Sequence, residues 1–464
     1  MSLPVSYAGL RSPMAWFCVG IAAALAVFGG SASAVEMEFG FAKVDVTPTE
    51  PVRLSGYGNR ATPTSTVVHR LYARAMALKP AGGEASVLVA VDSIGCPAVF
   101  TEKIAERLKD ERGIARERFV LSTTHSHTTP HLVGGLGNLF AVELTEEESA
   151  AAERYTAALA DGIVKVAGEA LDGLAPGRLA FGQGEVEFAV NRRVIQDGKW
   201  TGFGETEEGS VDRSVPMLRV LSPEGELRGL VCNYACHCTT LGPADAICGD
   251  WAGYAASFLE TDRPGTVALV TIGCGADANP RARGARETAV KYGRTLADEV
   301  LRLLGTNLDP IESAPQAAFD HVELPIEVPT EEAVRELAKS DNPQTRRHGE
   351  RMLATLEAGG TLRDNYPVPV QTWRFGDELA MVFLAGEVVS DYSLRLKREI
   401  DDAKHVWVTA YANDVMAYVV SKRLRPEGGY EVDFSMIYYG LPGRWAENAE
   451  ELLVGKILDL VEKK

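Results

Sequence analysis

The chain has 464 residues, and its 64 acidic against 47 basic side chains give a formal charge of −17 with histidine neutral. So acidic a surface repels phosphate backbones, which argues against nucleic acid as a partner and against adsorption to anionic membranes. The length suits one large α/β domain or two to three ordinary ones, and neither an internal repeat nor a Gly/Ser-rich or Pro-rich linker divides it.

The first stretch reads as an address. Arg11, the apolar run from Met14 to Phe28 and the small-residue end Ser31-Ala32-Ser33-Ala34 have the form of a secretory signal cleaved near Ala34. The run is short for a membrane span, and no cysteine follows the cleavage point to carry a lipid. The expectation is a signal peptide over 1–34 and a mature domain over 35–464, secreted or periplasmic, with no stable membrane anchor.

Strand-like and helix-like segments then alternate. Val87-Leu88-Val89-Ala90-Val91 is an apolar run of the kind buried on both faces, and it ends in Asp92. A helix with Ile104 and Leu108 on one face precedes the strand Phe119-Val120-Leu121, which runs into Thr124-His125-Ser126-His127. In extended backbone, residues i and i+2 share a face, so both imidazoles can serve one pocket, as metal ligands or as catalytic groups. Thr145-Glu146-Glu147-Glu148 is a capping box opening a helix through Tyr155, Leu159, Ile163 and Val166, which Gly173 and Pro176 end.

Two more strands, Met217 to Leu221 and Leu227 to Tyr234, flank the turn Ser222-Pro223-Glu224-Gly225, and the second delivers His237. A short helix after Gly249-Asp250-Trp251 leads to the strand Thr266 to Ile272 and the small-residue loop Gly273 to Pro280. Next come a helix with Leu296, Val300 and Leu303 on one face and a charged helix from Glu331 to about Leu356. The strand Leu379 to Leu384 delivers Glu387, the strand Val406 to Tyr411 leads to Asn413 and Tyr418, and a helix from Trp445 to Glu462 follows. Polar residues at several strand ends are the pattern of a pocket at the carboxyl edge of a sheet. The fold class expected is α/β, with mixed sheets flanked by helices in a single large domain.

Of seven cysteines, Cys18 lies in the signal stretch. The remaining six include Cys232, Cys236 and Cys238 around His237, whose Cys-x-Cys spacing is not that of structural zinc modules. They read first as apolar core thiols, ahead of a bridge such as Cys238 to Cys248 or a thiolate metal site.

The ordered pieces resemble the amino-terminal catalytic region of the neutral/alkaline, non-lysosomal ceramidase family. They are Gly40-Phe41-Ala42-Lys43-Val44-Asp45-Val46-Thr47-Pro48, Gly56-Tyr57, His69-Arg70-Leu71-Tyr72-Ala73-Arg74-Ala75, Thr124-His125-Ser126-His127 and Asn191-Arg192. His237, Gly249-Asp250 with Gly253-Tyr254-Ala255, Ala385-Gly386-Glu387, Tyr411-Ala412-Asn413 with Tyr418, and Tyr430-Glu431 complete the series. The resemblance implies one zinc per chain held by His125, His237, Glu387 and Tyr418, an N₂O₂ set that suits zinc. It implies an attack by zinc-activated water on the amide of an N-acyl, lipid-like substrate. His127 and Arg192 would flank the reacting group, and Asp277 and Asn279 would belong to the substrate pocket.

The chain departs from the family at three places. Ala276-Asp277-Ala278-Asn279-Pro280 stands where the family has Gly-Asp-x-Ser-Pro, so Asn279 replaces a serine hydroxyl. Val415 replaces an aromatic residue, and the sequence as read to Lys464 is expected to lack the carboxyl-terminal sandwich. A barrel amidohydrolase or a metallo-β-lactamase, for which His131 would be the next ligand, fits the histidine spacing less well. The alternatives kept are an amidohydrolase or esterase acting on a small non-lipid substrate, and a catalytically degenerate binding protein.

Overall fold

The apolar strands stack as two sheets with helices outside both. A computed structural model describes residues 36–206 and 208–462, so the expected signal segment lies outside the described residues. The larger sheet has nine strands among the described residues. Val267–Ile272, Leu227–Tyr234, Ser214–Leu221, Ala175–Glu185, Met37–Asp45, Tyr72–Pro80, Ser86–Val91 and Phe119–Thr123 lie side by side in that order, and Asp309–Ile311 pairs with Ala175–Glu185. The smaller sheet runs Pro315–Pro325, Asn365–Phe375, Leu379–Leu384, His405–Thr409.

Alternation along each strand divides the core. Phe39, Leu88, Val120 and Leu269 face Trp373, Phe383 and Trp407 between the sheets. Their strand neighbours Val87, Val89 and Leu121 point the other way, onto Ile104 and Leu108 of Ala98–Arg112 and Leu159 and Ile163 of Glu146–Asp172. Asp250–Asp262 and Arg286–Leu304 cover the other half of that face, while Ser390–Glu399 and Ala449–Glu462 cover the smaller sheet. The result is a helix–sheet–sheet–helix stack, the mixed α/β class the sequence implied. It explains why Ser86–Val91 is buried along its whole length.

Local signals act as read at the long helix: Thr145 caps Glu148 and the Glu148 carboxylate accepts from the Thr145 N–H at 2.8 Å. The charged helix is a correction. It is two helices, Glu331–Leu337 and Pro343–Glu357, because the Asn342 side chain caps Thr345 at 3.0 Å and Pro343 takes the first helical position. The closing helix begins at Ala449 rather than Trp445. Cys96, Cys232, Cys236, Cys238, Cys248 and Cys274 are all free and buried, as core thiols are.

Four parallel pairs aim their carboxyl ends at one edge: Ser86–Val91 with Phe119–Thr123, Leu227–Tyr234 with Val267–Ile272, Leu379–Leu384 with His405–Thr409, and Glu387–Val388 with Tyr418–Val419. Backbone hydrogen bonds join the two sheets there. The Asn413 N–H donates to Leu121 at 2.7 Å, Thr123 to Tyr411 at 3.1 Å and Ala410 to Ile272 at 2.9 Å. Loops from both sheets therefore meet over one spot.

Candidate active site

His125 follows the Phe119–Thr123 strand with φ +52°, in the left-handed region. Tyr411, whose ring stacks on it at 4.4 Å between centroids, and Asn413 have φ +54° and +64°. Such conformations in non-glycine residues cost on the order of 1–3 kcal/mol each and persist only where their surroundings over-determine them. The inter-sheet bonds do so here. The Asn413 carbonyl oxygen accepts from the Leu121 N–H at 3.3 Å and its amide donates to Gln371 at 2.8 Å.

The three histidines converge. His125, His127 and His237 have ring nitrogens all within 4.8 Å of one another. Each gives its Nδ1 to a backbone carbonyl: His125 to Ile94 at 2.5 Å, His127 to Gly56 at 3.1 Å, His237 to Gly275 at 2.8 Å. A carbonyl only accepts, so Nδ1 carries a proton in each ring, and each turns its Nε2 inward. Nε2 of His125 lies 3.1 Å from that of His127 and 3.0 Å from Glu387 Oε2, and His237 Nε2 lies 3.1 Å from the same oxygen. Tyr418 brings its hydroxyl to 3.4 Å from His237 Nε2.

Three Nε2 atoms and one carboxylate oxygen thus face one another across hydrogen-bond distances. Burial, then the neighbouring His125 and His237, pushes His127 well below its ordinary value, and burial with the Arg192 guanidinium pushes His237 down to about 4. Those two rings stay neutral at pH 7. A divalent cation would satisfy His125, His237 and Glu387 together, and in a tetrahedral zinc site with bonds near 2 Å the donors are about 3.3 Å apart, close to the separations seen here. The donor types suit zinc as well, and carbonyl partners on Nδ1 are the usual way such ligands are oriented. His127 is the one partly exposed ring of the three, and it reaches His125 but not the carboxylate.

Arg192 spans the set. Its Nη2 donates to Tyr418 at 3.1 Å and its Nε to Glu431 at 2.8 Å, while Nη1 donates to Asn279 Oδ1 at 3.5 Å and lies 3.3 Å from His237 Nε2. Glu431, fully buried, also takes Arg193. Asn279 therefore touches the site through Arg192, and the same oxygen accepts from the Thr239 hydroxyl at 3.4 Å. Asp277 does not. Its oxygens are taken by Asn191 at 3.0 Å and by the Ser390 N–H and hydroxyl at 2.8 and 3.0 Å, where it starts the Ser390–Glu399 helix. Burial there raises its pKa to about 6. His131 is likewise outside, paired with Ser55 at 3.0 Å.

Two groups escaped the sequence reading. Tyr439 donates its hydroxyl to Glu387 Oε1, and the carbonyls of Ile94, Gly56 and Gly275 fix the tautomers. Neither carries a pattern: Tyr439 sits in the short helix Met436–Tyr439, and a carbonyl is the same in every residue.

Residues 37–279 match the family model described as neutral/alkaline non-lysosomal ceramidase, N-terminal. The chain is 29% identical over 230 residues to a neutral ceramidase of Pseudomonas aeruginosa, covering 48% of this chain and 33% of that protein. It is 26% identical over 258 residues to a neutral ceramidase of Oryza sativa subsp. japonica, covering 54% and 32%. The match thus spans about a third of either relative. The crystal structure of the Pseudomonas aeruginosa neutral ceramidase superposes with a TM-score of 0.71 at 19% identity, over 92% of this chain and 74% of that one, which shows a shared fold.

Proposed function

The chain belongs to the neutral/alkaline non-lysosomal ceramidase family, and from that premise we propose that it is a secreted zinc-dependent hydrolase cleaving the amide bond of an N-acyl, lipid-like substrate. The observation that supports this most is the convergence of His125 and His237 Nε2 on one Glu387 oxygen, at 3.0 and 3.1 Å, with His127 Nε2 beside them, an arrangement that a divalent cation would satisfy. His125, His237, Glu387 and Tyr418 would hold one zinc per chain. When bound, it supplies a water ionised near pH 7 and a polarising charge for the carbonyl.

The chain's own groups do the rest. Arg192 is held by Glu431 with two nitrogens toward Tyr418 and His237, so its guanidinium is fixed before substrate arrives and stabilises negative charge developing on the carbonyl oxygen. His127, its Nδ1–H committed to Gly56, has Nε2 free to take a proton from the attacking water and hand it to the departing amine nitrogen. Tyr439 orients Glu387. Among the described residues no helix is long and apolar enough to cross a membrane. Asn279 favours a second reading, a binding protein that keeps the metal without turnover, because an amide replaces the family's hydroxyl beside Arg192.

Elemental analysis and a screen of purified protein against N-acyl amides of graded chain length test the proposal. We expect one zinc per chain and amine release from at least one amide. A preparation free of zinc after gentle purification overturns the metal assignment, and zinc without turnover leaves the binding protein.

A further inference from the structure

We propose that Phe434, Trp200, Phe203 and Tyr430 form the subsite for the acyl chain, a specificity surface that rests on the hydrolase reading above. Among the described residues the exposed large apolar side chains include only two phenylalanines, Phe203 at 50% and Phe434 at 55% exposure. Both touch Trp200, at 5.5 and 6.2 Å between ring centroids. Phe203 continues edge-on to Tyr430 at 5.1 Å, and Tyr430 to the ligand Tyr418 at 5.5 Å. An unbroken file of rings therefore leads from solvent to the metal donors.

Two separate pieces of chain build it. The hairpin Ala189–Gln196 and Lys199–Thr206 supplies Trp200 and Phe203, and the segment Tyr430–Phe434 supplies the other two. A Cβ on Gly429, whose φ is +96°, would come within 2.4 Å of Trp200, so glycine there is what lets the two pieces close. A folded protein seldom leaves adjoining aromatic rings in water unless they bind something apolar.

The position of Arg192 selects the acyl side of the substrate. Its guanidinium packs on Phe203, Tyr430 and Tyr418, at 5.1, 5.8 and 5.5 Å from the ring centroids. If Arg192 receives the carbonyl oxygen and His127, set against Gly56 and Tyr57, receives the amine nitrogen, the carbon on the other side of that carbonyl starts among these rings, and the chain it carries runs outward over Phe203 to Phe434. The amine half leaves on the other side of the carbonyl.

Binding of dodecanoate and of dodecylamine, measured by titration calorimetry on the zinc-loaded protein, tests the assignment without turnover. Dodecanoate should bind and weaken about tenfold in Phe203→Ala and again in Phe434→Ala, since each removes an aromatic contact of roughly this worth. Both side chains are half exposed, so the variants fold. Dodecylamine should be indifferent to both. Dodecanoate binding unaltered by the substitutions, or dodecylamine sensitive to them, overturns the proposal. Dodecanoate bound as expected by a protein that cleaves no amide would instead remove the hydrolase reading and leave the subsite.

Discussion

Replacing Glu431 by glutamine should destabilise the protein by about 2–4 kcal/mol. The carboxylate is fully buried and lies between two buried guanidiniums, Arg192 with its Nε at 2.8 Å and Arg193. Breaking a buried ion pair by removing one partner costs about 3–5 kcal/mol, because an uncompensated charge stays inside. Arg193 contributes little of this, since it keeps Glu427 at 3.1 Å and the Gly428 carbonyl at 2.8 Å. Arg192 keeps only neutral acceptors among its hydrogen-bond partners. The glutamine carbonyl still accepts one hydrogen bond, returning about 1 kcal/mol. Urea unfolding at pH 7 with zinc chelated, so that metal affinity does not enter, reads the loss directly. The same substitution placed on Arg192→Met should cost much less. A loss under about 1 kcal/mol, or equal losses in both backgrounds, would show that Glu431 does not hold Arg192 as a charge pair.

Within the histidine set, His125→Ala and Glu387→Gln should lose zinc and turnover together, whereas His127→Ala should keep zinc and lose turnover; metal content beside rate on one amide separates them, and metal loss in His127→Ala makes that ring a ligand. Asn279→Ser restores a hydroxyl next to Arg192 and should move the kcat/KM ratio toward long-chain ceramide from soluble N-acyl amides, which we expect the unmodified protein to prefer; an unchanged ratio would place position 279 out of reach of the amide. Burial pushes His131 down to about 4. The unfolded chain then takes up a proton between about pH 6.5 and 4 that the folded chain refuses, so stability falls with pH across that window by up to about 3 kcal/mol. His131→Asn should flatten that acid limb in urea titrations, and an unaltered limb would refute the attribution.

What the sequence made legible follows from what its signals encode. Continuous apolar runs marked Ser86–Val91, Val267–Ile272 and Leu379–Leu384 as strands, and the Thr145 box marked a helix start, because period and capping are local. The break at Asn342-Pro343 is also local, but the charged helical pattern on both sides masked it. The hairpin carrying Trp200 and Phe203 went unread since its exposed face has no apolar alternation to betray a strand. At the site, the residues on strand ends could be named, as could Arg192 through the family resemblance. The Asp277 side chain could not be told from that of Asn279, since both lie in one loop and only the fold decides that the first receives the Ser390 N–H while the second receives the Arg192 guanidinium.

The left-handed backbone at His125 bears on how this protein would change in a laboratory library. Glycine or asparagine tolerates that conformation better than histidine, so either at position 125 should relieve roughly 1 kcal/mol of crowding. Clones chosen only for surviving heat would gather such replacements and shed an imidazole with each. If His125 holds the proposed zinc, heat tolerance and metal retention would compete for a single codon wherever that relief outweighs the lost stack on Tyr411 and bond to Ile94, and a thermal screen would keep the site only if every round also scored for bound zinc.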